Sequence, residues 1–263
     1  MSLKMKNKMF IIEKTKDTDI LRIKEQLQGS EIKFDEMSLT EVLTRTPQEF
    51  ENKFIAYGSV LFIYSVFREE HKGICNIDHY KIHNYAGFIT PDHFLNSDYK
   101  IMPVRNFLSL PDNKIINTFA KTDLPSGPKG TLLKNEDDIL NFKMSLCMLD
   151  SEDPIFTAPK KEILSETRYF YYKSRIFTGS LYKKDNDYFE EEAFSETETG
   201  RFAKMVGDRL ASQYENIPYT IDIAETPDGM KLIEINCPFA SGLYNSCSAD
   251  FISMLCRYLA DRF

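Results

Sequence analysis

The sequence has no tryptophan, no Cys-x-x-Cys pair, no basic tract and no apolar run long enough to cross a bilayer. Each absence removes a class of function. The longest apolar stretch, Val60 to Phe67, is interrupted by Ser65 and falls far short of the roughly 20 residues that a membrane-spanning helix needs. Met1 to Lys8 is basic but lacks the apolar core and small-residue cleavage site of a secretory signal, so a cytoplasmic protein is expected. The five cysteines (Cys75, Cys147, Cys237, Cys247, Cys256) are odd in number and scattered, which reads as buried or free thiols in a reducing compartment. The net charge is −7, with the Lys and Arg dispersed, so neither a nucleic acid nor an anionic membrane is an expected partner. The 20 Phe and 14 Tyr read mostly as core, because no aromatic-basic interleaving marks a base-stacking platform.

What is present is ordinary for a globular enzyme: 263 residues, 42% hydrophobic and 28% charged. No internal repeat is apparent, so organisation comes from punctuation and periodicity. Asp17 to Gln28 carries apolar residues at helical spacing, and Ser59 to Phe67 reads as a buried strand. A Pro-Asp-Asn segment within Leu108 to Lys114 suggests a turn and a subdomain boundary. Ile115 to Ala120 reads as a strand, followed by a loop from Thr122 to Gly130. Asn135 is the expected N-cap of a helix from Glu136 to Leu149, whose early acidic residues suit a helix N-terminus. Arg168 to Lys173 and Ile176 to Tyr182 read as strands turned around Ser174-Arg175. Thr197 to Tyr214 has helical spacing, and a last helix is expected over about Ser248 to Leu259.

The informative segment lies near the C-terminus. Tyr219 to Thr226 and Met230 to Asn236 alternate in the strand period, and Pro227-Asp228-Gly229 between them reads as a three-residue turn. Closing the loop between Thr226 and Met230 puts Asp222 opposite Glu234 and Thr220 opposite Asn236. Side chains two apart share a face, so Asp222, Glu234 and Asn236 converge. The other face carries Ile221, Ile223, Ile233 and Ile235 and wants a core. Two carboxylates opposite one another repel unless positive charge lies between them. A hard cation would supply it, and an all-oxygen set of few protein ligands suits Mg²⁺ held with a nucleotide. The segment alone also fits a solvated polar face on an ordinary hairpin.

Asp222 with Glu234-Ile-Asn236 resembles the metal hairpin of the ATP-grasp enzymes. The tail Glu234 to Tyr244 is similar, more narrowly, to the clade named for two conserved arginines and a lysine. In that clade a strand ends in Arg-Pro, a Lys-containing loop follows, and a later strand carries Glu-x-Arg. Here Phe119-Ala-Lys121-Thr, Lys129-Gly130 and Glu166-Thr-Arg168 followed by Gly179 to Tyr182 arrive in that order, over about Asn76 to Phe251. Lys121 stands where the clade has Arg and Thr122 where it has Pro, which keeps the charge but not the bidentate fork.

The resemblance implies an α+β ATP-grasp fold with nucleotide held between two subdomains. The expected domains are an N-terminal α/β subdomain at 1–110 and an ATP-grasp domain at 111–263, its halves at about 111–160 and 161–263. It implies ATP and one or two Mg²⁺ ions, with Asp222, Glu234 and Asn236 as metal ligands. Lys121, Lys129 and Arg168 become cations on the triphosphate, Lys129 and Arg168 acting at the transferred group. The loop holding Ser126, Gly127 and Gly130 becomes a flexible cover offering backbone N–H groups. Thr157 and Ala158 in Phe156-Thr-Ala-Pro159 resemble the hinge whose backbone reads adenine. The implied activity joins a carboxylate to an amine or similar nucleophile through an acylphosphate, on a small-molecule or peptide substrate, by a monomer or homodimer. A kinase acting on a hydroxyl and a non-catalytic nucleotide-binding protein are the alternatives. Cys75, Asp78, His79 and His83, with His71 and His93 in the same region, match no usual zinc spacing. Cys237, beside the metal site, pairs with no His and reads as packing.

Overall fold

The computed structural model describes residues 9–45, 54–67, 75, 77–124, 127–185 and 187–262. Met1 to Lys8, His71, Asn76 and Ser126 therefore lie outside the described residues.

Three sheets carry the described residues. The first is parallel: β1 (Met9–Glu13) lies between β2 (Lys33–Met37) and β3 (Phe54–Tyr57). Parallel strands need crossovers, and α1 (Thr18–Gln28) and α2 (Leu39–Thr44) supply them. Helix α1 starts at Asp17, whose side chain accepts from Asp19 N and Ile20 N, and it buries Ile20, Ile23 and Leu27 at helical spacing.

The strand expected over Ser59 to Phe67 is instead α3 (Val60–Val66). Ser59 caps it by accepting from Phe62 N at 3.3 Å, and the Glu13 carboxylate fixes the cap by accepting from Ser59 N and Oγ. Phe62, Ile63 and Val66 are buried while Leu61 is exposed. A short apolar run has no readable period, and here the cap decided for helix.

The second sheet is antiparallel, in the order β4 (Lys100–Pro103), β7 (Pro154–Pro159), β5 (Thr118–Thr122), β6 (Thr131–Leu133). It begins at Lys100. Helix α4 (Ile82–Tyr85) precedes it in the chain, helices α5 (Val104–Leu108) and α6 (Glu136–Ser145) cover it, and Phe107, Leu133, Ile139, Phe142 and Ile155 form its core. Asn135 caps α6 by accepting from Asp138 N at 2.9 Å. The helix stops at Ser145, with Leu146–Met148 closing it as a 3₁₀ turn.

The third sheet runs β10 (Asp187–Glu192), β9 (Arg175–Lys184), β8 (Ser165–Tyr172), β11 (Tyr219–Thr226), β12 (Gly229–Asn236). The β8–β9 turn falls on Lys173 and Ser174, at φ 46° and 58°, one residue before the expected place; paired positive φ matches the right-handed twist of a hairpin. Helices α7 (Glu198–Gln213) and α8 (Ser248–Arg262) pack on this sheet, and α8 also reaches α1 and β3. α7 comes close because Gly207 rests on the Tyr171 ring, where an added Cβ would meet Cδ2 at 2.5 Å. The fold is α+β, and no helix among the described residues is long and apolar enough to cross a membrane.

Candidate nucleotide and metal site

The hairpin β11–β12 has the expected pairing at its functional end, Asp222 with Glu234 and Thr220 with Asn236, by a different route. The turn closes between Thr226 and Gly229, with Gly229 at φ 100°, so the register starts one residue off. A β-bulge between Asp222 and Ile223 restores it by leaving Ile233 without an opposite residue. Ile233, expected in the aliphatic face, is therefore only half-buried, and Leu232 takes its place beside Ile221, Ile223 and Ile235.

On its other edge β11 pairs with β8, which sets Asp222 opposite Arg168. Arg168, Asp222 and Glu234 thus form one row across three strands. Arg168 Nε and Nη2 each donate to the Asp222 carboxylate at 2.8 Å, and Nη1 donates to Gly242 O at 3.1 Å. Tyr182 and Tyr244 stack with centroids 4.6 Å apart, and the guanidinium carbon lies 5.0 Å from the Tyr244 centroid and 5.6 Å from that of Tyr182. Tyr182 is held by donating to Glu166 at 2.8 Å. The loop carrying Gly242 and Tyr244 is tied to α1: Leu243 N donates to Asp19 at 2.7 Å, and Arg22 donates to the Tyr244 and Ser246 carbonyls.

Lys121 arrives from the second sheet. Ala120 and Thr122 are buried, so strand alternation turns Lys121 toward the third sheet, where its ammonium donates to Glu234 Oε2. Asn236 Nδ2 donates to Glu234 Oε1 at 2.8 Å and to Asp222 Oδ2 at 3.3 Å. The positive charge that two facing carboxylates require is thus supplied by Arg168 on Asp222 and Lys121 on Glu234.

Burial pushes the Asp222 carboxyl above its ordinary value and the Arg168 charge works against it; two 2.8 Å contacts to one guanidinium mark an ionised pair. Burial disfavours the charged Arg168, but Asp222 outweighs it and holds the guanidinium well above its ordinary value. Burial also pushes Glu234 up, yet the Lys121 charge and the hydrogen bonds from Asn236 and Lys121 prevail and hold it below the usual carboxylate range.

Between the second and third sheets lies a cleft of about 490 Å³, lined among others by Lys121, Lys129, Arg168, Glu234 and Asn236. Gly127 and Gly130 line it too, and both press on β5: an added Cβ would sit 1.9 Å from Thr122 Oγ1 at the first and 2.4 Å from Phe119 Cζ at the second. Asp222 is not on the cleft wall but beneath Arg168, 1% exposed. Thr157 and Ala158 are not brought to the cleft either. They are buried in β7, where Thr157 pairs with Lys100 on one side and Ala120 on the other, and Ala158 pairs with Phe119 of β5.

Several residues were given no role by the sequence. Asp123 is buried and accepts from Ile82 N at 2.7 Å, His83 N at 3.2 Å and His83 Nδ1 at 2.5 Å, tying the strand that bears Lys121 to residues 82–83. Tyr182 and Tyr244 stood inside the resembling motifs, but only the folded chain stacks them. The residues near the histidines point to different partners: His79 meets the Tyr214 ring edge-on and Cys75 touches Cys237. Among the described residues no three His, Cys, Asp or Glu side chains gather as a metal-ligating group.

The donors nevertheless fit a hard cation. Glu234 and Asn236 offer oxygens on the cleft wall, Asp222 lies behind them, and Thr220 Oγ1, on the face of Asp222, is buried with no partner among the described residues.

The architecture is that of the ATP-grasp ligases. D-alanine–D-alanine ligase from Bacillus anthracis complexed with ATP matches over 97% of this chain and 98% of that one, at 10% identity and a TM-score of 0.61. D-alanyl-alanine synthetase A from Vibrio cholerae matches over 97% and 99%, at 10% identity and 0.59. The ATP-grasp ligase PsnB complexed with a minimal precursor matches over 97% and 98%, at 13% identity and 0.54. At these identities the likeness shows the fold. No curated protein sequence matches. Residues 111–255 match the third ATP-grasp domain family of the clade named for two arginines and a lysine, and the chain belongs to that family.

Proposed function

We propose that the protein is an ATP-dependent ligase that activates a carboxylate as an acylphosphate and passes it to an amine or similar nucleophile. One observation carries the reading. Lys121 from one sheet meets Glu234 from the other, in a cleft that Lys129, Arg168, Asn236 and two close-packed glycines also line.

Lys121, Lys129 and Arg168 bind the triphosphate oxygens, while the loop at Lys129 and Gly130 covers them with backbone N–H groups. Glu234 and Asn236, with Asp222 behind, would hold Mg²⁺, which when bound neutralises charge on the phosphates. A lysine suits position 121 in this scheme: its flexible stem lets the ammonium leave Glu234 for a phosphate, which a planar fork fixed on a carboxylate does less readily. The substrate carboxylate oxygen attacks the γ-phosphorus and ADP leaves; the nucleophile then attacks the acyl carbon and phosphate leaves. The residues contribute orientation and charge stabilisation rather than a covalent intermediate.

Calorimetric titration of the protein with Mg-ATP tests the site, with binding expected in the wild type and weakened by about tenfold or more in Lys121→Ala. Absence of binding by the wild type ends the proposal. Hydroxylamine trapping of an acylphosphate, with ADP and phosphate as products, tests the reaction; a stable phosphate ester would make the protein a kinase instead.

A further inference from the structure

Cys75 and Cys237 are 162 positions apart in sequence, and their sulfurs are 3.4 Å apart. Both are buried, at 4% and 7% exposure, as free thiols. A disulfide needs its sulfurs about 2.05 Å apart, so the two must close by about 1.4 Å. Cys237 also lines the nucleotide cleft, while Cys75 does not. Cys237 follows Asn236 directly at the end of β12, and its carbonyl accepts from Ala240 N at 3.1 Å and Ser241 Oγ at 2.8 Å. A pull on Cys237 is therefore transmitted to the strand end that aims Glu234 and Asn236.

We propose that Cys75 and Cys237 are a peroxide-responsive dithiol, which a hydroperoxide converts to a disulfide that lowers nucleotide affinity and which a thiol reductant restores. The effect on affinity rests on the nucleotide reading above; the disulfide does not.

Cys237, on the cleft wall, takes the first oxidation. Its sulfur attacks one peroxide oxygen, the O–O bond breaks, and the departing hydroxide takes up the thiol proton as water, leaving a sulfenic acid. The Cys75 sulfur then attacks the Cys237 sulfur, the S–O bond breaks, and the second hydroxide leaves as water with the Cys75 proton. Two thiols and one hydrogen peroxide become one disulfide and two waters. The two thiols lose two electrons and the peroxide oxygens gain them. Displacements of about 1 Å at a phosphate-binding constellation are enough to cost tenfold or more.

The test treats the full chain with hydrogen peroxide, alkylates remaining thiols after denaturation and maps the unreduced peptides by mass spectrometry. The expected product is a cross-link between the peptides of Cys75 and Cys237, removed by dithiothreitol, with Mg-ATP affinity about tenfold lower in the oxidised protein. Cys75→Ser, or Cys75→Ala if the serine fails to fold, is expected to form no cross-link, to stop at the Cys237 sulfenic acid and to lose less affinity than the wild type through the same treatment. Alkylation of both Cys75 and Cys237 while Cys147 or Cys247 is oxidised overturns the proposal. So does an equal loss of affinity in the Cys75 variant, which would place the damage on Cys237 alone. A cross-link without change in affinity overturns the regulatory half. If the reduced wild type does not bind Mg-ATP, the nucleotide reading and the regulatory half fall together, and the peptide map still decides the disulfide.

Discussion

Arg168 grips Asp222 through Nε and Nη2, each 2.8 Å from a carboxylate oxygen, with the carboxylate almost wholly shielded from water. Removing one partner of a buried pair strands the other, which costs more than the pair contributes. Asp222→Ala is therefore expected to destabilise the fold by about 3–5 kcal/mol, read from urea midpoints, and Asp222→Asn by less, since the amide still accepts from the guanidinium. Equal and negligible shifts would show that the pair does not hold β8 to β11. It follows that Asp222→Ala is a poor probe of metal binding.

Glu234 is the better probe, being on the cleft wall and half-buried. Its carboxyl is pushed up by burial but held, on balance, below the ordinary 4.5 by Lys121 and Asn236. A depressed folded value means that the stability it contributes is fully present above the unfolded value and is lost as pH falls through the folded one. The Tm difference between wild type and Glu234→Gln is thus expected to narrow as pH drops below about 4.5. A difference that stays constant across the acid range, from about pH 3 to about pH 7, would contradict the ion pair with Lys121.

Gly127 is packed where its Cβ would overlap Thr122 Oγ1, and Thr122 is only 1% exposed. Gly127→Ala must move the loop rather than the strand. Mg-ATP affinity is expected to fall several-fold, with adenosine binding little changed, as competitive titration would show. Equal losses for both ligands would remove the loop from the phosphates.

Gly207→Ala probes the scaffold alone. Its Cβ would meet the fully buried Tyr171 ring, an overpacking expected to cost about 1–3 kcal/mol in thermal or urea unfolding. Mg-ATP affinity at a temperature where the variant is folded is expected to match the wild type, because α7 contributes no residue to the cleft.

Where local pattern and physics agreed, the sequence was legible. Asn135 starts α6 as its cap, the helical spacing after Asp17 and Thr197 is α1 and α7, and alternation in β11 and β12 puts Asp222 against Glu234. The helix at Val60 is not legible because so short an apolar run has no period of its own, and the Glu13 carboxylate that fixes its cap is 46 residues away. The hairpin turn was misread by one residue, and the bulge that compensates leaves no mark in an alternating pattern. Thr157 and Ala158 lie in β7 and off the wall of the cleft, a placement that motif likeness alone does not carry.

The sequence by itself determined that Asp222, Glu234 and Asn236 share one face of the hairpin, because strand period is a local property. It also carried the order of cations along the chain. Only the tertiary structure decided what balances the two carboxylates, since Arg168, Lys121 and the Tyr182–Tyr244 stack converge from separate strands and loops. The same holds for Cys75 against Cys237. Contacts between distant residues are set by how sheets pack, and packing depends on the whole core rather than on any one segment's pattern.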